Sequence, residues 1–245
     1  MTTRAERRHP DRHYAQAAVF STLSAGVWAA SFGESVANFM RADAMRVDPW
    51  VCRPEGGTLM AQSGPRIAET RTKIVQTFLD AEPFARAQWL VMVDSDMVFS
   101  HDDLHDLLER ADPDERPILG GLCFAGQSPD TMYPTIYRCF RPYPDAPLDI
   151  THVRDYPVDQ LVSCDATGGA FMVVHRKVLA DMRERFAGPY PWFVEGHQDK
   201  HNRPVGEDIA FCLRARALDY PVHVDTRIKI GHVKQVVLNE GMFTP

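Results

Sequence analysis

The chain has 245 residues, of which 44% are hydrophobic and 24% charged, with a net charge of -6 at pH 7. That is enough chain for one domain with a proper core, and the composition is that of a folded protein without repeats or low-complexity tracts. The acidic balance supplies no general field for nucleic acid or anionic lipid, and no apolar run reaches the ~18 residues of a membrane helix, so no membrane span is expected.

Five cysteines, Cys52, Cys123, Cys139, Cys164 and Cys212, are odd in number and lack any Cys-x-x-Cys spacing. This argues against a disulfide framework or a zinc knuckle and for a reducing, cytoplasmic setting. Arg4, Arg7, Arg8 and Arg12 make residues 1–14 a basic tail, expected to be flexible. The following "AQAAVFSTLSAGVWAA" is broken by Gln16, Ser21, Thr22 and Ser24, unlike the core of a secretory signal. Residues 15–245 then read as a single domain.

In chain order, Ala17 to Thr22 reads as a strand, and Trp28, Phe32, Val36 and Phe39 recur at helical spacing after it. "PWVCR" is a second short strand candidate. "GPRIAETRTKIVQTFLD" predicts a helix, with Pro65 in its first turn and Ile67, Ile74 and Phe78 on one face. The strand "WLVMV" leads to Asp94. Ser100 and Asp103 have capping-box spacing before Leu104, Leu107 and Leu108, and the helix they start should stop before Asp112-Pro113.

"PILGGLCF" reads as a buried strand, and the proline- and tyrosine-rich stretch from Pro129 to Pro157 as short edge strands and loops. "DATGGAFMVVHRKVLADM" gives a turn, a strand from Gly169 to His175 and a helix. "GEDIAFCLRARALDY" gives another helix, placing Ile209, Cys212, Leu213 and Ala217 on one face and Glu207 and Asp208 in its first turn. "PVHVDTRIKIGH" alternates, setting Val222, Val224, Thr226, Ile228 and Ile230 on one side of a half-buried strand. Strand and helix alternating in this way predict an α/β domain with a mostly parallel central sheet flanked by helices, in which ligands bind at the carboxyl ends of strands.

Asp94 and Asp96 stand at such an end. In isolation an Asp-x-Asp pair is as readily a turn, but Ser100 is the better cap for the next helix. Residues i and i+2 of an extended segment point the same way, so both carboxylates could face one hard cation carrying a diphosphate. "DSDMV" is locally compatible with the haloacid-dehalogenase-like phosphatases. Their late Gly-Asp-x-x-x-Asp is not matched, because Gly206-Glu207-Asp208 is followed by Phe211 and Cys212.

From about Ala17 to His232 the chain resembles the family 2-like glycosyltransferases of the GT-A fold, particularly the compact type carried by bacteriophages and bacteria. The resemblance rests on "VDSDM", "TGGAFMVVHRKVL", "GEDIAFCLRA" and "IGH" in this order. It implies a Rossmann-like nucleotide-diphospho-sugar transferase, with a nucleotide-binding part over about 15–125 and an acceptor-side part over about 126–245.

The donor would be a UDP- or GDP-type sugar and the cofactor Mn2+ or Mg2+. The acceptor hydroxyl would belong to a protein, a glycan, a lipid-linked sugar or a modified DNA base. Carried over residue by residue, Asp96, Asp94 and His232 would bind metal, with Asp94 and Ser95 also at the nucleotide. Asp208 would be the general base of an inverting reaction, with Glu207 orienting a substrate. Thr167, Gly168 and Gly169 would form a tight turn approaching the donor sugar. Thr22, Arg66 and Arg71 are candidate nucleotide contacts. "STLSAGVW" departs from the family's usual opening, which leaves base recognition least supported.

"GPYPWFVEGHQDKHNRPVG", with Trp192, reads as a mobile acceptor-side loop, and His197 and His201 within it lack the helix that would make them a metal pair. The alternatives are a phosphatase built on Asp94 and Asp96 and a non-catalytic nucleotide-sugar-binding domain. A sugar nucleotidyltransferase is disfavoured by the missing basic glycine-rich loop at the start of the chain.

Overall fold

The computed structural model describes residues 17–64, 66–126, 128–141 and 146–235. The basic tail and Pro65 lie outside them.

A seven-stranded sheet runs through the molecule. Its first strands are β1 (Ala18–Ser24), β2 (Gly57–Gln62), β3 (Trp89–Asp94) and β5 (Ile118–Leu122), and its later ones β10 (Leu161–Cys164), β12 (Phe171–His175) and β13 (Val222–Lys229). The spatial order is β10-β13-β5-β12-β3-β1-β2, and beside it lie two small sheets, β6 (Phe124–Ala125) with β7 (Tyr133–Pro134), and β11 (Ala166–Thr167), β8 (Ile136–Phe140) and β9 (Asp149–His152). Five strands point one way, while β12 and β10 run against their neighbours. Strands from both halves of the chain interleave, and β12 lies between β3 and β5.

Helices cover both faces. On one, α1 (Ala30–Ala44) and α3 (His101–Arg110) bury Phe32, Val36, Phe39, Leu104, Leu107 and Leu108 against Phe20, Val91 and Val93. On the other, α2 (Ile67–Asp80), α4 (Arg176–Arg185) and α5 (Glu207–Arg216) bury Ile74, Phe78, Leu179, Met182 and Phe211 against Leu90, Met92 and Met172. A sheet buried on both faces explains why β3 and β5 read as unbroken apolar runs. Among the described residues no helix is long and apolar enough to cross a membrane.

The capping box forms as expected: Ser100 Oγ accepts from Asp103 N at 3.2 Å, and Ser100 N donates to Asp103 Oδ2 at 2.8 Å. The helix ends at Arg110.

Four expectations change. "PWVCR" is not a strand, because the N–H groups of Trp50, Val51 and Cys52 donate to the buried carboxylate of Asp43 at 2.8–2.9 Å instead of to a sheet neighbour. Trp28 lies outside α1 and is 38% exposed. Ile67, the first residue of α2, is exposed, as is Ala217 beyond the end of α5, so neither completes its buried face. In β13 the pairing with β5 shifts between Asp225 and Lys229. A bulge moves side chains to the opposite face, so Val222 and Val224 join one core layer and Ile228 and Ile230 the other.

Burial would raise the pKa of Asp43, but the hydrogen bonds from His105 and the three backbone N–H groups outweigh it and hold the carboxyl at about 2. Because the folded value is depressed, its stabilisation is complete above the unfolded carboxylate range. It is lost as pH falls through about 2, amounting to about 2 kcal/mol. Asp43→Asn is therefore expected to lower the denaturation midpoint at pH 7 and to weaken the acid dependence between pH 4 and 2. Denaturant titrations of both proteins across that range check this, and superimposable curves would refute it.

Candidate active site

Asp94 is the last residue of β3, and its N–H donates to Ala170 O at 2.9 Å. The chain then turns through Ser95 and Asp96 into β4 (Met97–Val98), which pairs with β14 (Gly231–His232) so that His232 stands opposite Met97. This pairing brings a histidine 136 residues away onto Asp96: His232 Nε2 lies 2.9 Å from Asp96 Oδ2, and Nδ1 lies 2.8 Å from the Phe124 carbonyl. A carbonyl at Nδ1 requires the proton there, so Nε2 is the nitrogen that faces Asp96 and the site. Val233 N donates to Asp96 O at 2.8 Å, fixing the backbone on both sides.

The two aspartates therefore do not share a partner. The strand ends at the first, and the turn sends the second elsewhere. Asp94 turns to Arg71 of α2, whose Nη2 lies 2.8 Å from Oδ1 and 3.1 Å from Oδ2. The same guanidinium donates from Nη1 to Gly169 O at 2.8 Å and places Nε 3.2 Å from Glu207 Oε1. Gly169 N in turn donates to Asp208 Oδ2 at 3.2 Å, and Ile209 N to Asp208 Oδ1 at 2.8 Å. One arginine side chain, 4% exposed, thus joins the end of β3, the glycine turn before β12 and the start of α5.

At 169 a side chain would displace the guanidinium. A Cβ there would lie 2.8 Å from Arg71 Nη1.

The electrostatics follow from three acids around one cation. Burial opposes charge on Arg71, but Asp94, Glu207 and Asp208 outweigh it and raise its pKa. Burial raises Asp94, with Arg71 opposing and Asp96 and Glu207 adding. It also raises Asp208 and Glu207, the latter helped by the charge of Asp208. At the other pair, the hydrogen bond that the His232 ring donates to the Asp96 carboxylate raises His232. Burial of Asp96 is overcome by His232 and Lys234, and its pKa falls.

The remaining candidates separate. Ser95 sits in the turn between the aspartates, and its carbonyl accepts Ala29 N at 3.2 Å. Gly168 is buried against Thr135, and the Gly169 amide, expected to approach a donor sugar, is engaged by Asp208. Thr22 is 2% exposed, and its hydroxyl has no protein partner, facing a small cavity with Arg71 and Asp94.

Arg66 precedes α2 and lines a separate cleft of about 440 Å³ with Glu69, Tyr190 and Glu195. Among the described residues no group of three or more His, Cys, Asp or Glu side chains gathers as a metal cage; Asp96 and His232 form a pair.

The segment expected to be a mobile loop is pinned at its aromatic residues. Trp192 is fully buried and donates to Leu179 O at 2.7 Å, and Phe193 stacks on Phe211 at 4.8 Å. The segment also supplies a residue that sequence reasoning missed. Glu195 accepts from Ala68 N at 3.1 Å at the start of α2 and adds negative charge beside Glu207. No spacing announces it, since the contact spans 127 residues.

No protein-family model matches this sequence, and no curated protein does either. Solved structures do match in fold. One is A197 from STIV, with a TM-score of 0.50 and 11% identity over 91% of this chain and 97% of that one. Another is GalNAc-T7, solved with UDP, GalNAc and Mn2+, with a TM-score of 0.53 and 11% identity over 90% of this chain and 44% of that one. The chain has the α/β fold of these structures, the GT-A arrangement of a mostly parallel central sheet flanked by helices.

Proposed function

We propose that the protein is a metal-dependent glycosyltransferase that moves a sugar from a UDP- or GDP-type nucleotide-diphosphate sugar to an acceptor hydroxyl, inverting, with Asp208 as general base. The observation that carries this reading is the junction at the sheet's carboxyl end, where Asp94, Gly169, Glu207 and Asp208 meet around Arg71 next to the Asp96–His232 pair. A nucleotide-sugar site needs an anion-holding group at a strand end and a base facing the same space.

Asp96 and His232 fit a divalent cation. Both side chains are reachable, at 43% and 17% exposed, and the Phe124 carbonyl holds the ring with Nε2 forward. Mn2+ or Mg2+ takes one or two carboxylates and completes its shell with substrate phosphates and water, so two protein ligands suffice. When bound, such an ion stabilises charge on the leaving diphosphate. The neighbour solved with UDP, GalNAc and Mn2+ supports a UDP-type donor and manganese.

Asp94 is the less accessible acid, and Arg71 occupies both its oxygens, so its part is to shape the site beside the metal and ribose. Arg71 spends its guanidinium on protein acids, so its contribution to phosphate binding is indirect. A phosphatase would need Asp94 free to attack phosphorus, which the Arg71 contact opposes. Burial raises Asp208 toward the range useful for accepting an acceptor proton, while Glu207, held by Arg71, orients the substrates.

Ligand binding raises apparent stability, which gives a screen for the donor. Saturating nucleoside-diphosphate sugars with Mn2+ are expected to raise the melting temperature by about 5 °C for at least one donor, and chelation should reverse it. Flat melting curves across UDP- and GDP-sugars with metal present would count against the reading.

A further inference from the structure

We propose that a cleft along α5 binds an amphiphile with a phosphate head, and that Arg214 anchors the head. Ala210, Leu213, Arg214 and Ala217 recur at i, i+3, i+4 and i+7, so they form one stripe along α5 and its C-cap, and all four line a cleft of about 210 Å³. Alanines at 210 and 217 leave the space that larger side chains would fill. Leu148 and Val205 extend the apolar lining, and Arg141 and His197 add polar groups. Among the described residues no carboxylate lines this cleft, whereas Glu69 and Glu195 line the larger one at Arg66.

Arg214 is a cation without an acid. Its Nη1 donates to Tyr190 O at 2.6 Å and its guanidinium lies over the Phe186 ring, 5.1 Å from the centroid, so the side chain is held before any ligand arrives. Among the described residues no carboxylate pairs with it, while neighbouring cations are taken: Arg216 by Asp165, Arg203 by Asp199 and Lys200 by Asp149. Burial alone lowers its pKa, in contrast to Arg71, whose three acids raise it. A partly desolvated guanidinium gains most from an anion that restores a counter-charge, and its planar fork suits phosphate oxygens. Arg141 brings a second positive charge to the same lining, which matches the nearly two charges of a phosphate monoester. The apolar remainder suits a hydrocarbon body.

The cleft shares no residue with the acidic junction, so its ligand is separate from the nucleotide-sugar reading. It adjoins that site at one end. Val205 precedes Gly206, the N-cap of the helix that carries Glu207 and Asp208, and its N–H donates to His197 O at 2.9 Å. An occupant therefore rests against the helix that carries both acids without using either.

Calorimetry on the full chain at about pH 7.5, without metal or nucleotide, tests this with octyl phosphate, octyl glucoside and inorganic phosphate. The octyl compounds share a chain and differ in charge, and inorganic phosphate has the charge without the chain. Below its micellar concentration, octyl phosphate is expected to bind the wild type about tenfold or more tighter than either of the others. Arg214→Gln should weaken that binding by about tenfold or more. Ala217→Leu, which fills the cleft but keeps Arg214 on Tyr190 and Phe186, should do the same. Octyl glucoside binding as tightly as octyl phosphate would overturn the anion site and leave an apolar patch. Inorganic phosphate binding as tightly would overturn the amphiphile. Unchanged affinity in either variant, or no binding of octyl phosphate by the wild type, would overturn the cleft itself, and none of these results bears on metal-dependent turnover.

Discussion

Asp208→Asn is expected to lower sugar transfer by about 10²- to 10⁴-fold while leaving donor affinity within a factor of two or three. The amide is close in shape to the carboxylate, and its oxygen can still accept from Gly169 N or Ile209 N, the two donors that hold Asp208 in place. Arg71 keeps its contacts with Asp94, Gly169 O and Glu207, so the junction should persist. What disappears is a group able to accept a proton.

Burial raises the pKa of Asp208, with Arg71 opposing. A base must be deprotonated to act, so wild-type kcat/KM should rise with pH across a window above the ordinary carboxylate range, and the variant's residual activity should lack that limb. Transfer rates and calorimetric donor binding, measured on the same preparations, separate the two effects. Normal transfer by Asp208→Asn would remove this residue from the base role. Lost donor binding would mean that it supports the site instead of the chemistry.

Much of the framework is legible because local rules decide it. Ser100 and Asp103 announce a helix start through their spacing, and Asp112-Pro113 its limit, since both signals act within a few residues. The apolar runs at Trp89–Asp94 and Ile118–Leu122 signal strands buried on both faces. Of the motifs that carry the resemblance, three converge: the fold brings Asp94, Gly169 and Glu207 to one arginine, and the Gly169 amide holds Asp208.

What escapes the sequence is set by long-range partners. Arg71 is recognisable as a candidate cation, yet nothing near it tells that its guanidinium will pair with Asp94 and Glu207. Asp94 and Asp96 are legible at the strand end, yet nothing local tells that the first will take Arg71 and the second His232 as its partner. The "PWVCR" segment has strand-like residues, but a carboxylate on α1 supplies the acceptors that a neighbouring strand would have offered. Trp28 fits a helical spacing with Phe32, while the loop tied to Ser95 keeps it outside the helix. Trp192 sits among glycines and prolines that suggest mobility, and its burial against α4 is a tertiary contact that no composition encodes.

The metal claim predicts the second large effect. Asp96→Ala removes the carboxylate that faces His232 but leaves the Val233 N to residue 96 carbonyl bond and the His232 to Phe124 bond, so the fold should survive. Loss of the ion's charge at the diphosphate should slow turnover by about a thousandfold, equivalent to about 4 kcal/mol of transition-state stabilisation. The most direct measurement is the Mn2+-dependent hydrolysis of a nucleoside-diphosphate sugar by the wild type and Asp96→Ala side by side, with matched melting temperatures. The account predicts metal-dependent release of nucleoside diphosphate by the wild type and none above background by the variant. Undiminished, metal-dependent turnover in Asp96→Ala would contradict it.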